Sequence, residues 1–155
     1  GLPPPDIAEI KRGYGHPEDH DFGWGVNRQE QVRHLKAAFD LMDKYAMSGV
    51  PHLTPKLFDG VYDSLIHLKD TGHTLAIVTS KLEQPLLHAL EMHNVDKLFS
   101  TYRTYDHVKR SGKRDKPHPD MLLEVIDELK FGPEAAVMIG DSTMDMRMGR
   151  AADTR

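Results

Sequence analysis

Apolar positions along the chain change their rhythm near residue 70. Before that point they recur at spacings of three and four. Val32, Leu35, Phe39 and Met42 form one stripe, which predicts a helix from about Arg28 to Tyr45, ended by Ser48-Gly49. Thr54-Pro55 reads as a helix start, a hydroxyl cap with proline in the first turn. Val61, Leu65 and Leu68 carry that stripe to Gly72, a C-terminal stop. A shorter helix is expected around Ile7 to Lys11, then a loop rich in Gly, His and Asp from Gly13 to Gly25.

After residue 70, short apolar runs alternate with helical patterns, as in βαβ units. Leu75-Ala76-Ile77-Val78 and Ala136-Val137-Met138-Ile139 are continuous and bounded by turn residues, so both read as buried parallel strands. Helices are predicted over 82–92, 119–129 and 143–152, with Pro85 tolerable only in a first turn. Leu98-Phe99 is a candidate short strand. The fold expected is α/β, a parallel sheet core preceded by a helical region, divided at 1–60 and 61–155.

Composition narrows this picture. The 155 residues carry a net charge of -4 with a pI near 6.2, so no nucleic-acid partner is expected. No apolar run approaches the ~20 residues of a membrane span, so no membrane partner is expected either. There is no cysteine, hence no disulfide framework or thiolate metal site, which suits a reducing, cytoplasmic setting. The chain opens at Gly1 without an initiator methionine and closes at Arg155 in the course of a helical pattern, so both ends read as truncations.

Three stretches carry candidate chemistry. Gly140-Asp141-Ser142-Thr143-Met144-Asp145 follows the second apolar run. Ligands in open α/β sheets sit at the carboxyl ends of strands. Two close carboxylates there repel each other unless a cation neutralises them, and oxygen-only ligands favour a hard ion such as Mg²⁺. Alone, the same residues fit equally a strand end, Asp141, and a helix cap, Asp145. Thr79-Ser80-Lys81 follows the first apolar run, where hydroxyls and free N–H groups can hold a phosphate. Alone, it reads better as a turn with Ser80 capping the next helix. Lys116-Pro117-His118-Pro119-Asp120 places a lysine before a helix, where it can neutralise a phosphate. Alone, Lys116 reads as one more solvated cation near Lys109, Arg110, Lys113 and Arg114. Ten histidines form no ligand pattern, and His88 and His93 fall on different helix faces, so scattered surface positions account for them best. Trp24 and Arg28 are weaker candidates for substrate contact.

In order and spacing the three stretches resemble motifs two, three and four of the haloacid dehalogenase (HAD) superfamily, with phosphoglycolate phosphatase-like members closest in the segment from Leu57 to Gly72. Asp59 stands where many members have proline. The resemblance implies a Rossmann-like core with a helical cap before residue 60. It implies that Thr79, with Ser80, binds a phosphoryl group, and that Lys116 neutralises charge on nucleophile and phosphate. It implies that Asp141 binds Mg²⁺ directly and that Asp145 supports the metal, often through water. The substrate implied is a small phosphorylated metabolite.

The family's nucleophile, the first Asp of an Asp-x-Asp after a central first strand, has no match. Asp19-His20-Asp21 has the letters, but no apolar strand precedes it. The first strand is therefore expected to be missing, leaving unpaired edges and exposed apolar surface in the core. Two other functions fit less well. A 2-haloacid dehalogenase needs no acids at Asp141 and Asp145. A non-catalytic binding relative would account for the missing nucleophile.

Overall fold

The computed structural model describes residues 27–48 and 56–155. The predicted helix around Ile7, the Asp19-His20-Asp21 triplet, Trp24 and Thr54-Pro55 lie outside the described residues. The elements are α1 (Arg28–Ala46), α2 (Val61–Asp70), β1 (Leu75–Val78), α3 (Glu83–Met92), β2 (Phe99–Arg103), α4 (Tyr105–Ser111), α5 (Asp120–Glu128) and α6 (Thr143–Ala151), with 3₁₀ turns at Asp96–Leu98 and Pro133–Ala135.

β1 and β2 run parallel, with Ala76 opposite Thr101 and Val78 opposite Arg103. A parallel pair needs a crossover, and α3 supplies it. Side chains alternate across a strand, so consecutive residues of β1 enter different layers. Ile77 packs with Leu86, Leu90 and Val95 beneath α3, together with Leu65 of α2. Val78 packs with Leu122, Ile126, Met148 and Ala152 beneath α5 and α6. The sheet is thus covered by helices on both faces, as parallel sheets require. Met121 of α5 and Met148 of α6 are fully buried. Truncating either to alanine removes roughly 2–5 kcal/mol. No described helix is long and apolar enough to cross a membrane.

Several expectations are corrected. Ala136–Ile139 is not a strand. It follows a 3₁₀ turn and runs extended, exchanging one pair of backbone hydrogen bonds with Arg155, Met138 N–H to Arg155 O at 2.9 Å and Arg155 N–H to Ala136 O at 3.1 Å. Nor is the segment buried. Ala136 and Met138 pack under α5 and α6, but Val137 and Ile139 face the other way and are 66% and 81% exposed. β1 itself is half-buried, because among the described residues only β2 lies beside it. The strand expected at Leu98-Phe99 runs on to Arg103, and Leu98 belongs to the turn before it. α2 begins at Val61, after a turn at Asp59-Gly60. α4 was not foreseen, since its basic letters mask its period.

α1 matches the predicted first-region helix within a residue and packs against α3. Of its stripe, Val32 is 40% exposed, and the side chains of Leu35, Phe39 and Met42 lie outside the described residues.

The basic stretch is spent on acids and on one ring. Arg110 meets Glu83 at 3.1 Å, Lys113 meets Glu124 at 3.9 Å, Arg114 meets Asp120 at 2.8 Å, and Lys109 lies 4.5 Å from the Tyr105 ring centroid. Glu83 opens α3, where its backbone N–H donates to Asp106 at 2.8 Å and its carboxylate accepts from the Tyr102 hydroxyl at 3.1 Å. Burial first, and then Glu83, pushes the Tyr102 phenol above its ordinary range. Ser80 does not cap α3; its N-cap is Leu82, which offers no side-chain bond. The histidines are not all surface bystanders, since His107 bonds Glu124 at 2.8 Å and His88 buries an unpaired Nε2.

Candidate active site

Thr79 continues the ladder one residue past β1. Its N–H donates to Arg103 O at 2.9 Å, and its hydroxyl accepts from the Lys81 N–H at 3.1 Å. This fixes the Thr79-Ser80-Lys81 turn at the carboxyl end of the sheet. The next chain segment at that end is Tyr105, whose N–H donates to Lys81 O at 3.1 Å.

The lysine lies on the loop between α4 and α5, and that loop is tied down at several points. Arg114 donates three times to Asp120, from its backbone N–H at 3.0 Å, Nε at 3.1 Å and Nη2 at 2.8 Å. His118 N–H donates to Asp115 O at 3.1 Å, and the Lys116-Pro117 bond is cis. From this loop Lys116 sends its ammonium to Asp145, with Nζ 2.5 Å from Oδ1. The two side chains are only 14% and 5% exposed. A buried ion pair needs its remaining polar atoms satisfied, or desolvation outweighs attraction.

Asp145 meets that need. Its Oδ2 accepts from Ser142 N–H at 3.1 Å and from Ser142 Oγ at 2.6 Å, while its own N–H donates back to Ser142 Oγ at 3.3 Å. This reciprocal cap opens α6. Burial works against the Asp145 charge, but Lys116 and then Ser142 outweigh it and hold the carboxyl below its ordinary value. Gly140 is required here, since a Cβ would collide with the Asp145 side chain.

The structure therefore joins Lys116 to Asp145 directly, and joins Ser80 to the lysine loop through Asp115, whose Oδ1 lies 2.9 Å from Ser80 Oγ. Asp141 stands one residue before the cap and is exposed. Lys116 is thus no solvated cation. Two participants went unread. Ser142 was visible in principle, because Ser142-x-x-Asp145 is a capping-box pattern. Asp115 gave no signal, being one acid in a basic run. A separate cleft of about 410 Å³ between α1 and the start of α3 is lined by Asp40, Lys44, Leu82, Glu83 and Asp106, and by none of the candidate residues.

For a hard cation the fit is partial. No cluster of three or more acids, histidines or cysteines able to hold a metal occurs among the described residues. Both oxygens of Asp145 have protein donors, so Asp141 is the acid whose exposure suits a direct ligand. Mg²⁺ wants about six oxygens, and the rest would come from water, a phosphate and a further acid.

Comparison with known proteins agrees with this architecture. The family model for haloacid dehalogenase-like hydrolases matches residues 2–155. The pyrophosphatase PpaX of Bacillus pumilus is 34% identical over 98 residues, which is 63% of this chain and 44% of that protein. The PpaX of Oceanobacillus iheyensis matches with the same identity and coverage. The chain thus spans less than half the length of these curated relatives. A haloacid dehalogenase-like hydrolase structure from Bacteroides fragilis superposes with a TM-score of 0.74 at 30% identity, covering 95% of this chain and 67% of that one. A candidate phosphoglycolate phosphatase from Lactobacillus plantarum superposes with a TM-score of 0.76 at 21% identity, covering 98% and 69%, a likeness of fold.

Proposed function

Because this chain belongs to the haloacid dehalogenase-like hydrolase family, we propose that it is part of a magnesium-dependent phosphatase acting on a small phosphorylated metabolite. The observation that carries the reading is the buried Lys116–Asp145 pair beside the carboxyl end of β1. A lysine held at one point by a carboxylate, on a loop fastened to the turn after β1, is a preorganised cation for a phosphoryl oxygen. Such donors act without reorganising during the reaction, and that is the main source of their effect.

In this reading Thr79 donates its hydroxyl to a phosphoryl oxygen, and Lys116 offsets charge on the oxygens as phosphorus is attacked. Asp145 holds Lys116, while Asp141 supplies one carboxylate to Mg²⁺. The ion would contribute charge stabilisation of the transferring group. The nucleophile is an aspartate outside the described set. Its carboxylate oxygen bonds phosphorus as the ester P–O bond breaks, the leaving oxygen takes a proton from a general acid, and water then hydrolyses the aspartyl-phosphate to inorganic phosphate. The edge of β1 left open among the described residues and the exposed Val137 and Ile139 support a further strand at that place, carrying this aspartate at its end. The region before residue 60, α1 included, would serve as the cap that limits access of water.

Pyrophosphate, an anhydride, and small esters such as phosphoglycolate form the substrate class, on the names that the relatives and neighbours carry. The test is phosphate release by the full-length protein from pyrophosphate, phosphoglycolate and an aryl phosphate, with magnesium and with chelator. Release that needs magnesium is expected. No release from any phosphate compound, or equal release in chelator, would refute the assignment.

A further inference from the structure

We propose that Asp115 is a positioning residue that locks the lysine loop to the Thr79-Ser80 turn and so sets the spacing between Lys116 and Thr79. This rests on the phosphatase reading for its consequence, though not for its geometry.

The observation is one oxygen with two donors. Asp115 Oδ1 accepts from Ser80 Oγ at 2.9 Å and from the Lys116 backbone N–H at 2.7 Å. Ser80 and Asp115 are 35 residues apart, so the first bond crosses between two loops that have no covalent reason to stay in register. The second bond fixes the peptide that carries the lysine. Lys116 is then held from its backbone by Asp115 and from its ammonium by Asp145, while Arg114 and Asp120 close the base of the loop. A hydroxyl has one proton, and Ser80 gives it to Asp115. The Ser80 side chain thus serves as a strut, not as a donor to a phosphoryl oxygen.

An acid is an unexpected choice beside an anion site, because its charge repels a phosphate dianion. What the position needs is therefore the acceptor oxygen and not the charge. An asparagine offers the same oxygen at the same length and can accept both bonds. An alanine offers none, and it frees the lysine peptide and the serine together. A misplacement of about 1 Å at such a site costs up to about 10²-fold in rate.

The experiment uses the full-length protein, an aryl phosphate and magnesium, with kcat and KM read separately. Asp115→Ala is expected to lower kcat by about 10–100-fold. Asp115→Asn is expected to restore most of that kcat with KM equal or lower. Retained kcat in Asp115→Ala, or an equal fall in both variants, would overturn the proposal. Should Asp115→Ala fail to fold, Ser80→Ala cuts the strut while leaving the Lys116 N–H bond in place. Amide exchange is then read at Lys116. Faster exchange in Ser80→Ala than in the parent is expected, and unchanged exchange overturns the coupling. That readout needs no turnover. A parent protein with no activity on any phosphate ester would sink the phosphatase reading, while the exchange rates would still decide the role of Asp115.

Discussion

Leu75–Val78 and Ala136–Ile139 are near-equal as letters, four apolar residues between turn residues, and they end differently. The first is a strand with β2 on its flank and each face under helices. The second is extended but unladdered, with two of its four side chains in solvent. Intrinsic preference is not what separates them, since Val and Ile are good strand formers in both. A strand is a relation between neighbours, and its backbone groups need a partner on each side. Among the described residues, Ala136–Met138 has a bonded backbone neighbour only in Arg155. The face carrying Ala136 and Met138 is satisfied by α5 and α6, and the face carrying Val137 and Ile139 is left exposed among the described residues.

The sharpest way to break this contrast is to supply the neighbour. Joining an upstream apolar strand ending in Asp-x-Asp should place a third strand beside β1 and raise turnover of an aryl phosphate by on the order of 10⁴-fold or more over the 155-residue chain. Electrostatic residues without a nucleophile leave only residual catalysis. Equal rates from the two proteins would sink both the open-edge reading and the assignment of the nucleophile.

A second effect compares the carboxyl ends of the two segments. Asp141→Asn in the full-length protein should cut magnesium-dependent turnover by about 10²–10³-fold, because a hard cation loses a ligand charge. A magnesium titration separates weaker binding from lost chemistry. Parent-like rates at every magnesium concentration would remove Asp141 from the site.

The third compares the segments themselves. Ile77→Ala should cost roughly 2 kcal/mol in the 155-residue chain, as it opens the layer beneath α3. Ile139→Ala should change stability by less than about 0.5 kcal/mol there, since it already faces solvent. With the added strand in place the two costs should converge. Denaturant unfolding of the two parents and four variants reads this directly, and a large cost for Ile139→Ala in the short chain contradicts the exposed face.

Helices α1, α3, α5 and α6 were legible within a residue or two, because each carries its own period and its own ends in sequence. β1 was legible for a different reason, as a short continuous apolar run between turn residues, although it is half-buried. What sequence did not reveal depended on partners distant in the chain. Ala136–Ile139 looked identical to β1 until its neighbours were counted. α4 hid among lysines and arginines whose acids lie elsewhere, at Glu83, Glu124 and Asp120. In the site, Lys116 and Asp145 were readable as a spacing, but their direct pairing was not, and neither was the second acceptor, Asp115. The spacing named the right loops, whereas the bonds between the loops required coordinates.

The smallest effect concerns the helix that both apolar segments share as a cover. α5 begins at Asp120, and Arg114 holds that carboxyl down to about 2 from an ordinary 3.8, first through the side-chain bond and then through its backbone N–H. The folded value lies below the unfolded one, so the contribution is complete above about pH 4. As pH falls from there, the unfolded chain binds the proton first, and stability declines until pH passes about 2, where both states are protonated and the slope ends. Asp120→Asn should therefore flatten the pH dependence of unfolding between about pH 4 and 2 by less than one proton, with little change at neutral pH beyond the loss of a partly exposed pair. Other carboxylates are also held below their ordinary values, Glu128 beside Arg103 and Asp145 beside Lys116 among them. The difference between parent and variant is thus the quantity to measure, by denaturant unfolding at half-unit steps of pH. A slope identical in the two proteins would show that Arg114 does not hold Asp120 in solution. The Lys116 loop would then lack its clamp at the base, and Asp115 alone would keep it in register with the turn after β1.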